Sequence, residues 1–169
     1  NSLGAWGATQ TGLRDAANRH LDFVVTMDAD GQHDPGDIAA LLDPVIAGHC
    51  DVVIGSAVER GSILRKIAWR LMRVTSGLAF QDLTSGFRVL NAKAIQLLAS
   101  APASCFDYQD VGVLLMLDQA GMRIKEIPVT MTPRENGKSR VFSSWFKVAT
   151  YMAQTLVLGT VKRRRPWRQ

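Results

Sequence analysis

Residues 23–35 read Phe-Val-Val-Thr-Met-Asp-Ala-Asp-Gly-Gln-His-Asp-Pro, and they leave the backbone few options. The apolar, β-branched start is a strand, because such side chains fit a pleated, buried surface. Gly31 and the acids around it then stop the strand in a loop. Asp34-Pro35-Gly36-Asp37 is a helix start: Asp34 as the N-cap, Pro35 in the first turn, and Asp37 facing back. Strand, loop and helix therefore follow one another without a spare residue.

The same rhythm continues along the chain. Residues 5–19 read as a helix weakened by glycine, leading into a strand at 22–27. The helix opened by Asp34 runs to about Ala47, where Gly48 closes it. Asp51–Gly55 is a short buried strand, and a basic helix follows at roughly 62–78, with Ile63, Ile67, Leu71 and Val74 at helical spacing. A strand at 86–90, a helix at 91–100 and a helix at 107–121 ended by Gly121 come next. Ile124–Thr130 is a strand, and a last helix spans about Ser143 to Val161. Strand–helix alternation predicts an α/β domain with a mostly parallel sheet over 1–142, followed by a C-terminal helix and basic tail over 143–169. A doubly wound sheet normally begins with a strand, whereas this chain opens in a helix. The expectation is that it starts inside the fold, with upstream strands absent.

Asp28 and Asp30, one residue apart at a strand end, are expected to point the same way. Two hard carboxylates with the Gln32 amide two positions on suit Mg²⁺ or Mn²⁺, which take few protein ligands and leave room for phosphate oxygens. Such an ion could hold a diphosphate and neutralise it as it leaves. Ordinary turn chemistry explains a lone Asp-x-Asp equally well. A calcium loop fails on spacing: with Gly31 at its sixth position, the first would be Thr26 and the twelfth Asp37.

Charge and cysteine narrow the classes. Hydrophobic residues make up 47% and charged residues 21%, so a folded core is expected rather than disorder. Cys50 and Cys105 lie far apart with no CxxC spacing, which predicts buried, reduced thiols in a cytosolic setting. The net charge of +5 equals the five cations Lys162, Arg163, Arg164, Arg165 and Arg168 at the end of the chain. The rest is formally neutral, so a nucleic-acid-binding surface is not expected.

The second half carries three further clusters. Asp82-Leu-Thr-Ser-Gly-Phe-Arg88 gathers a carboxylate, two hydroxyls, a glycine and an arginine, though a capped turn before a strand has the same composition. Asp110, after Tyr108 and Gln109, sits where a helix dipole favours an acid in any case. Arg134-Glu-Asn-Gly-Lys-Ser-Arg140 suits phosphate binding by charge and backbone N–H groups, and a solvated basic loop suits it as well.

Taken in order, Met27–Pro35, Asp82–Arg88, Ile124-Lys-Glu-Ile-Pro-Val129 and Arg134-x-x-Gly-x-Ser-Arg140 resemble the family-2, GT-A-fold glycosyltransferases, most closely the dolichol-phosphate (polyprenyl-phosphate) mannosyltransferase-like branch. The resemblance covers nearly all the chain. It implies transfer of a sugar, with inversion, from a nucleotide sugar to a phosphorylated lipid. It also implies that Asp28, Asp30 and Gln32 serve a divalent metal, Asp28 facing the donor's ribose or sugar side as well. Asp82 would lie near the reacting centre and Arg88 near donor or acceptor phosphates. Arg134, Lys138, Ser139 and Arg140 would form a loop closing over the diphosphate, and Asp110 matches the place of a catalytic carboxylate. Two departures stand out. The family's first strand and the Asp-Asp pair that grips the base are absent, and position 57 is Ala57 where an arginine is usual. Ala57 leaves open a glycan, a protein or another lipid as acceptor. A non-catalytic remnant that binds a membrane or a partner through the basic tail is the reading from another class.

The apolar stretch Trp145–Val161 is interrupted by Lys147 and Gln154, so it is too short and broken for a span. It reads as a terminal helix packed on the core. With Lys162–Arg168 and Trp167 behind it, it also reads as an interfacial helix with a polybasic anchor. Peripheral attachment at the cytoplasmic membrane face is the corresponding expectation.

Overall fold

The computed structural model describes residues 4–57, 70, 73, 74, 76–105 and 111–132. Most of the basic helix, Asp110, the Arg134–Arg140 cluster and the helix expected at 143–161 lie outside the described residues. Helix α1 (Gly4–Asn18) leads into β1 (Phe23–Thr26), and a 3-10 turn (Pro35–Asp37) opens α2 (Ile38–Ile46) before β2 (Val52–Ser56). Then come β3 (Arg88–Asn91), α3 (Ala92–Ala99), a second 3-10 turn (Ala101–Cys105), α4 (Val111–Gln119) and β4 (Ile124–Pro128). The caps are where the side chains place them. Asp34 accepts from the Gly36 amide at 2.8 Å, and Asn91 accepts from Ala94 to start α3. Three helices end alike, with the second residue past the cap bonded back across the last turn: Leu21 to Ala16, His49 to Pro44 and Met122 to Leu117. The residue before each bond is left-handed. Gly48 and Gly121 take that role as expected, but after α1 it falls to His20 at φ 53°.

The sheet order is β1-β3-β2-β4. β2 pairs with β4 in parallel, and β3 runs antiparallel to both β1 and β2. Three strands thus point one way, in keeping with strand–helix alternation, but a mostly parallel set of pairings is not what forms. The reason lies in the connection from β2 to β3. Residues 82–87 stay at the edge where β2 leaves the sheet: the Ser85 hydroxyl donates to the Gly55 carbonyl at 2.6 Å, and the Gly55 amide donates to the Phe87 carbonyl at 2.8 Å. A chain that re-enters from the edge it left must run backwards. Alternation counts elements and does not say which edge a connection returns to.

Helices α1, α3 and α4 cover one face of the sheet around Leu13, Ile54, Leu90, Ile95 and Leu114. Helix α2 covers the other, with Leu41 and Val45 against Val53, Phe87 and Val89. β2 is buried along its whole length, as an apolar run without alternation requires. Val111–Leu117 is buried on all sides, which suits a helix without a polar stripe. Each fully buried leucine here contributes about 1.5–3 kcal/mol. Helix α1 donates to the end of α3 and to the 3-10 turn after it from three successive turns. The Trp6 indole reaches the Ala103 carbonyl at 2.8 Å, Gln10 reaches those of Leu98 and Ser100, and Arg14 reaches that of Ala99. The carbonyls of Leu98 and Ala99 belong to the last turn of α3, where helix geometry supplies no partner, and these donors satisfy them. Val74, expected on an apolar stripe, is 71% exposed. Helical spacing shows that residues share a face, not that the face is covered.

Candidate functional site

The carboxyl ends of β1, β2 and β4 lie along one edge of the sheet, and the sequence clusters converge there. β1 stops at Thr26, so residues 27–34 form a loop and strand alternation does not govern Asp28 and Asp30. Asp28 is exposed and Asp30 half-buried, so the two carboxylates do not share one setting as the strand reading predicted. Gly31 at φ 74° turns the chain between them and Gln32. Asp30 Oδ1 accepts from the Gln32 amide at 3.2 Å, a local turn that fixes this carboxylate relative to the backbone.

The loop is tied to the chain leaving β4. Thr132 donates its amide to the Gln32 carbonyl at 2.9 Å and its hydroxyl to the Gly31 carbonyl at 2.8 Å. The Gln32 side chain donates to the Thr132 carbonyl at 3.3 Å, and His33 bridges to Met131. His33 is 7% exposed, and its Nδ1 accepts a long 3.4 Å bond from the Asp28 amide. Behind it the Phe87 ring lies 5.0 Å away, centroid to centroid.

That contact joins the first cluster to the second. Thr26 also donates from its hydroxyl to the Gly86 carbonyl at 2.9 Å, and Thr26 stands opposite Arg88 in the β1–β3 register. Residues 82–88 therefore cross the ends of β1 and β2. Asp82 is 6% exposed. Its Oδ1 accepts from the amide and the hydroxyl of Thr84, both at 3.0 Å, and its Oδ2 from the Ala57 amide at 3.5 Å. Arg88 is 3% exposed, inside the sheet between Thr26 and Ile54. The structure thus brings Asp28, Asp30, Gln32, Asp82 and Arg88 to one edge. Asp110, Arg134, Lys138, Ser139 and Arg140 lie outside the described residues.

Sequence reasoning assigned no role to Glu126, His33 or Thr132. Glu126 on β4 accepts from the amides of Gln81 and Asp82. Its signal was an acid in a strand between the apolar Ile124 and Ile127, where a carboxylate needs donors close by.

Among the described residues no three acidic, histidine or cysteine side chains gather into a metal cage. Two carboxylates and an amide in an open loop remain the hard-oxygen set that Mg²⁺ or Mn²⁺ accepts when water and phosphate complete its shell, so the donor chemistry of Asp28, Asp30 and Gln32 fits such an ion.

The opposite edge of the sheet holds a different polar cluster. Asp51 accepts from the Arg123 amide at 2.9 Å, from its guanidinium at 3.1 Å and from Asn91 at 2.9 Å. The Arg123 hydrogen bond, opposed by burial, holds the Asp51 carboxyl below the usual carboxylate range. Burial pushes the neighbouring Cys50 thiol up, which makes it a poor nucleophile.

Comparison with known proteins bears on the first edge. The profile of glycosyl transferase family 2 matches residues 1–101. The polyprenol monophosphomannose synthase of Mycolicibacterium smegmatis is 28% identical over 98% of this chain and 66% of its own length. The undecaprenyl-phosphate mannosyltransferase of Micrococcus luteus is 32% identical over 82% of this chain and 60% of its own. The UDP-N-acetylglucosamine–dolichyl-phosphate N-acetylglucosaminyltransferase of Methanococcus voltae is 29% identical, covering 81% of this chain and 59% of its own. The chain therefore spans about three fifths to two thirds of these relatives.

Proposed function

We propose, on the premise that this chain belongs to glycosyl transferase family 2, that it moves a sugar from a nucleotide sugar to a polyprenyl-type lipid phosphate, with inversion at the sugar carbon. The observation that carries the reading is the convergence of the Asp28–Gln32 loop and the Asp82–Arg88 segment, joined through Thr26–Gly86 and His33–Phe87. Open α/β sheets bind ligands beyond the carboxyl ends of their strands, which is the edge these segments occupy. The relatives' names supply the acceptor class, since each contains a polyprenyl- or dolichyl-type phosphate or monophosphomannose product.

In this reading an acceptor phosphate oxygen forms the new bond to the sugar carbon as the bond to the nucleoside diphosphate breaks. A phosphate monoester, with its second pKa at about 6, is already ionised at neutral pH and needs little help from a base. Asp82, with both carboxylate oxygens engaged by Thr84 and Ala57, acts by fixed charge and placement. Asp28, Asp30 and Gln32 would hold a Mg²⁺ or Mn²⁺ ion, which when bound would supply neutralisation of the departing diphosphate. Arg88 contributes positive charge beneath this edge. Arg134, Lys138, Ser139 and Arg140 would add phosphate contacts, and Asp110 would supply a catalytic carboxylate. On this reading residues 1–142 would be part of a glycosyltransferase domain, and 143–169 would carry the basic tail. No helix among the described residues is long and apolar enough to cross a membrane. The basic tail would hold the protein peripherally at the cytoplasmic membrane face, where a lipid acceptor resides.

The test is extraction of a labelled sugar–phosphate–lipid from a reaction of purified protein, nucleotide sugar, polyprenyl phosphate and Mn²⁺. Label in the lipid phase, absent with Asp30→Ala, is the expected result. Label appearing only in water-soluble hydrolysis products would sink the acceptor assignment.

A further inference from the structure

Glu126 makes the shortest side-chain contacts to the Asp82 segment, and no role in the reaction has been given to it. It lies on β4, opposite Ile54 in the parallel register. Its Oε2 accepts from the Gln81 amide at 2.8 Å and its Oε1 from the Asp82 amide at 2.6 Å. Both oxygens are thus used on two consecutive backbone N–H groups, a two-point grip that fixes the orientation of a peptide unit as well as its distance. Short bonds from amides to a charged acceptor are about twice as strong as neutral ones.

The remaining ties of Asp82 are weaker or purely local. The bond from the Ala57 amide is 3.5 Å long, at the limit of a hydrogen bond. The bonds from Thr84 close a turn within the segment and do not anchor it to the sheet. Ser85 anchors the far end of the segment on Gly55. Between Ser85 and β4, Glu126 alone among the described residues pins the Asp82 backbone with bonds under 3 Å.

We propose that Glu126 is a positioning residue: it holds the Asp82 carboxylate in register with the Asp28–Gln32 loop, so its loss slows sugar transfer without weakening donor binding. This rests on the glycosyltransferase reading above.

The test combines kinetics with backbone hydrogen exchange on Glu126→Gln. The amide side chain keeps one acceptor and turns an NH2 toward the second backbone donor, so one of the two bonds fails. Amide exchange at Gln81 and Asp82 should speed up by at least about tenfold, while Ile124 and Ile127 on the same strand keep their protection. A displacement near 1 Å at a reacting centre costs on the order of 100-fold in rate. We therefore expect kcat to fall about 10- to 100-fold with donor KM changed by less than about twofold. In an Asp82→Asn background the same substitution should have almost no further effect, because it acts through Asp82. Unchanged exchange at Gln81 and Asp82 would overturn the grip itself. Faster exchange with unchanged kcat, or rate losses that add across the double variant, would overturn the positioning role. A wild-type protein without transfer activity would overturn the functional reading and the kinetic half of this inference together, leaving exchange to decide whether Glu126 holds the segment.

Discussion

Gly55→Ala is a one-carbon perturbation at the point where the sheet meets the site. Gly55 sits in buried β2, and a Cβ built on it would lie 3.2 Å from Phe87 Cδ1, 3.2 Å from Val129 Cγ1 and 3.3 Å from Leu41 Cδ1. All three are side-chain atoms, so the question is whether any can give way. Phe87 and Leu41 are fully buried, and Phe87 is also backed by the His33 ring. The methyl group is closed in from three directions. Overpacking of this kind costs about 1–3 kcal/mol. Removing a glycine from the unfolded chain returns about 0.4–1 kcal/mol. The net expectation is a loss of about 1–2 kcal/mol. With a urea m-value of about 2 kcal/mol/M, the unfolding midpoint should fall by about 0.5–1 M. Combining the substitution with Phe87→Leu should recover part of the loss, because contacting residues couple by about 0.5–3 kcal/mol. A midpoint equal to or above wild type for Gly55→Ala would refute the packing argument, and strict additivity with Phe87→Leu would refute the role given to the ring.

Two other expectations follow from particular residues. His20→Gly replaces a side chain at φ 53° in the turn that ends α1, and should raise stability by about 1 kcal/mol, read as a higher urea midpoint. Asp51 has a folded pKa held down by Arg123, so the unfolded chain binds more protons and stability rises with pH. That contribution is present above the ordinary aspartate value of about 4 and is lost as pH falls through the lower folded value. Urea midpoints measured from pH 7 downward should drop more steeply below about pH 4 for wild type than for Asp51→Asn, and parallel curves would contradict the ion pair.

Local signals in the chain were legible because one residue type decides each. Asp34, Gly48 and Gly121 mark helix ends through backbone chemistry that needs no neighbour, and the strand and helix they bound lie where periodicity puts them. His20 escaped the same logic, because a left-handed position held by a non-glycine has no composition cue. The reversal of β3 was not legible either. It depends on Ser85 and Phe87 meeting Gly55 across thirty residues of sequence. The site residues Asp28, Asp30 and Asp82 stood out as acids at strand ends, whereas Glu126 sits inside a strand and gains its meaning from two amides on a distant segment. Strand alternation also overreached at Asp28 and Asp30, since β1 ends at Thr26 and the loop's own turns place those carboxylates.

If the Asp28–Gln32 loop binds a nucleotide sugar through a divalent cation, donor-induced thermal shift reads that binding without the acceptor. UDP-, GDP- and dTDP-sugars are each added with Mn²⁺ or with chelator, to wild type and to Asp30→Ala. At ten times Kd a ligand that binds only the folded state stabilises it by about 1.4 kcal/mol. For a chain of this size that is a rise in Tm of about 3–6 °C. Such a rise is expected for one nucleotide class, present only with Mn²⁺ and lost in Asp30→Ala. An equal rise with chelator, or in Asp30→Ala, would contradict binding through the cation.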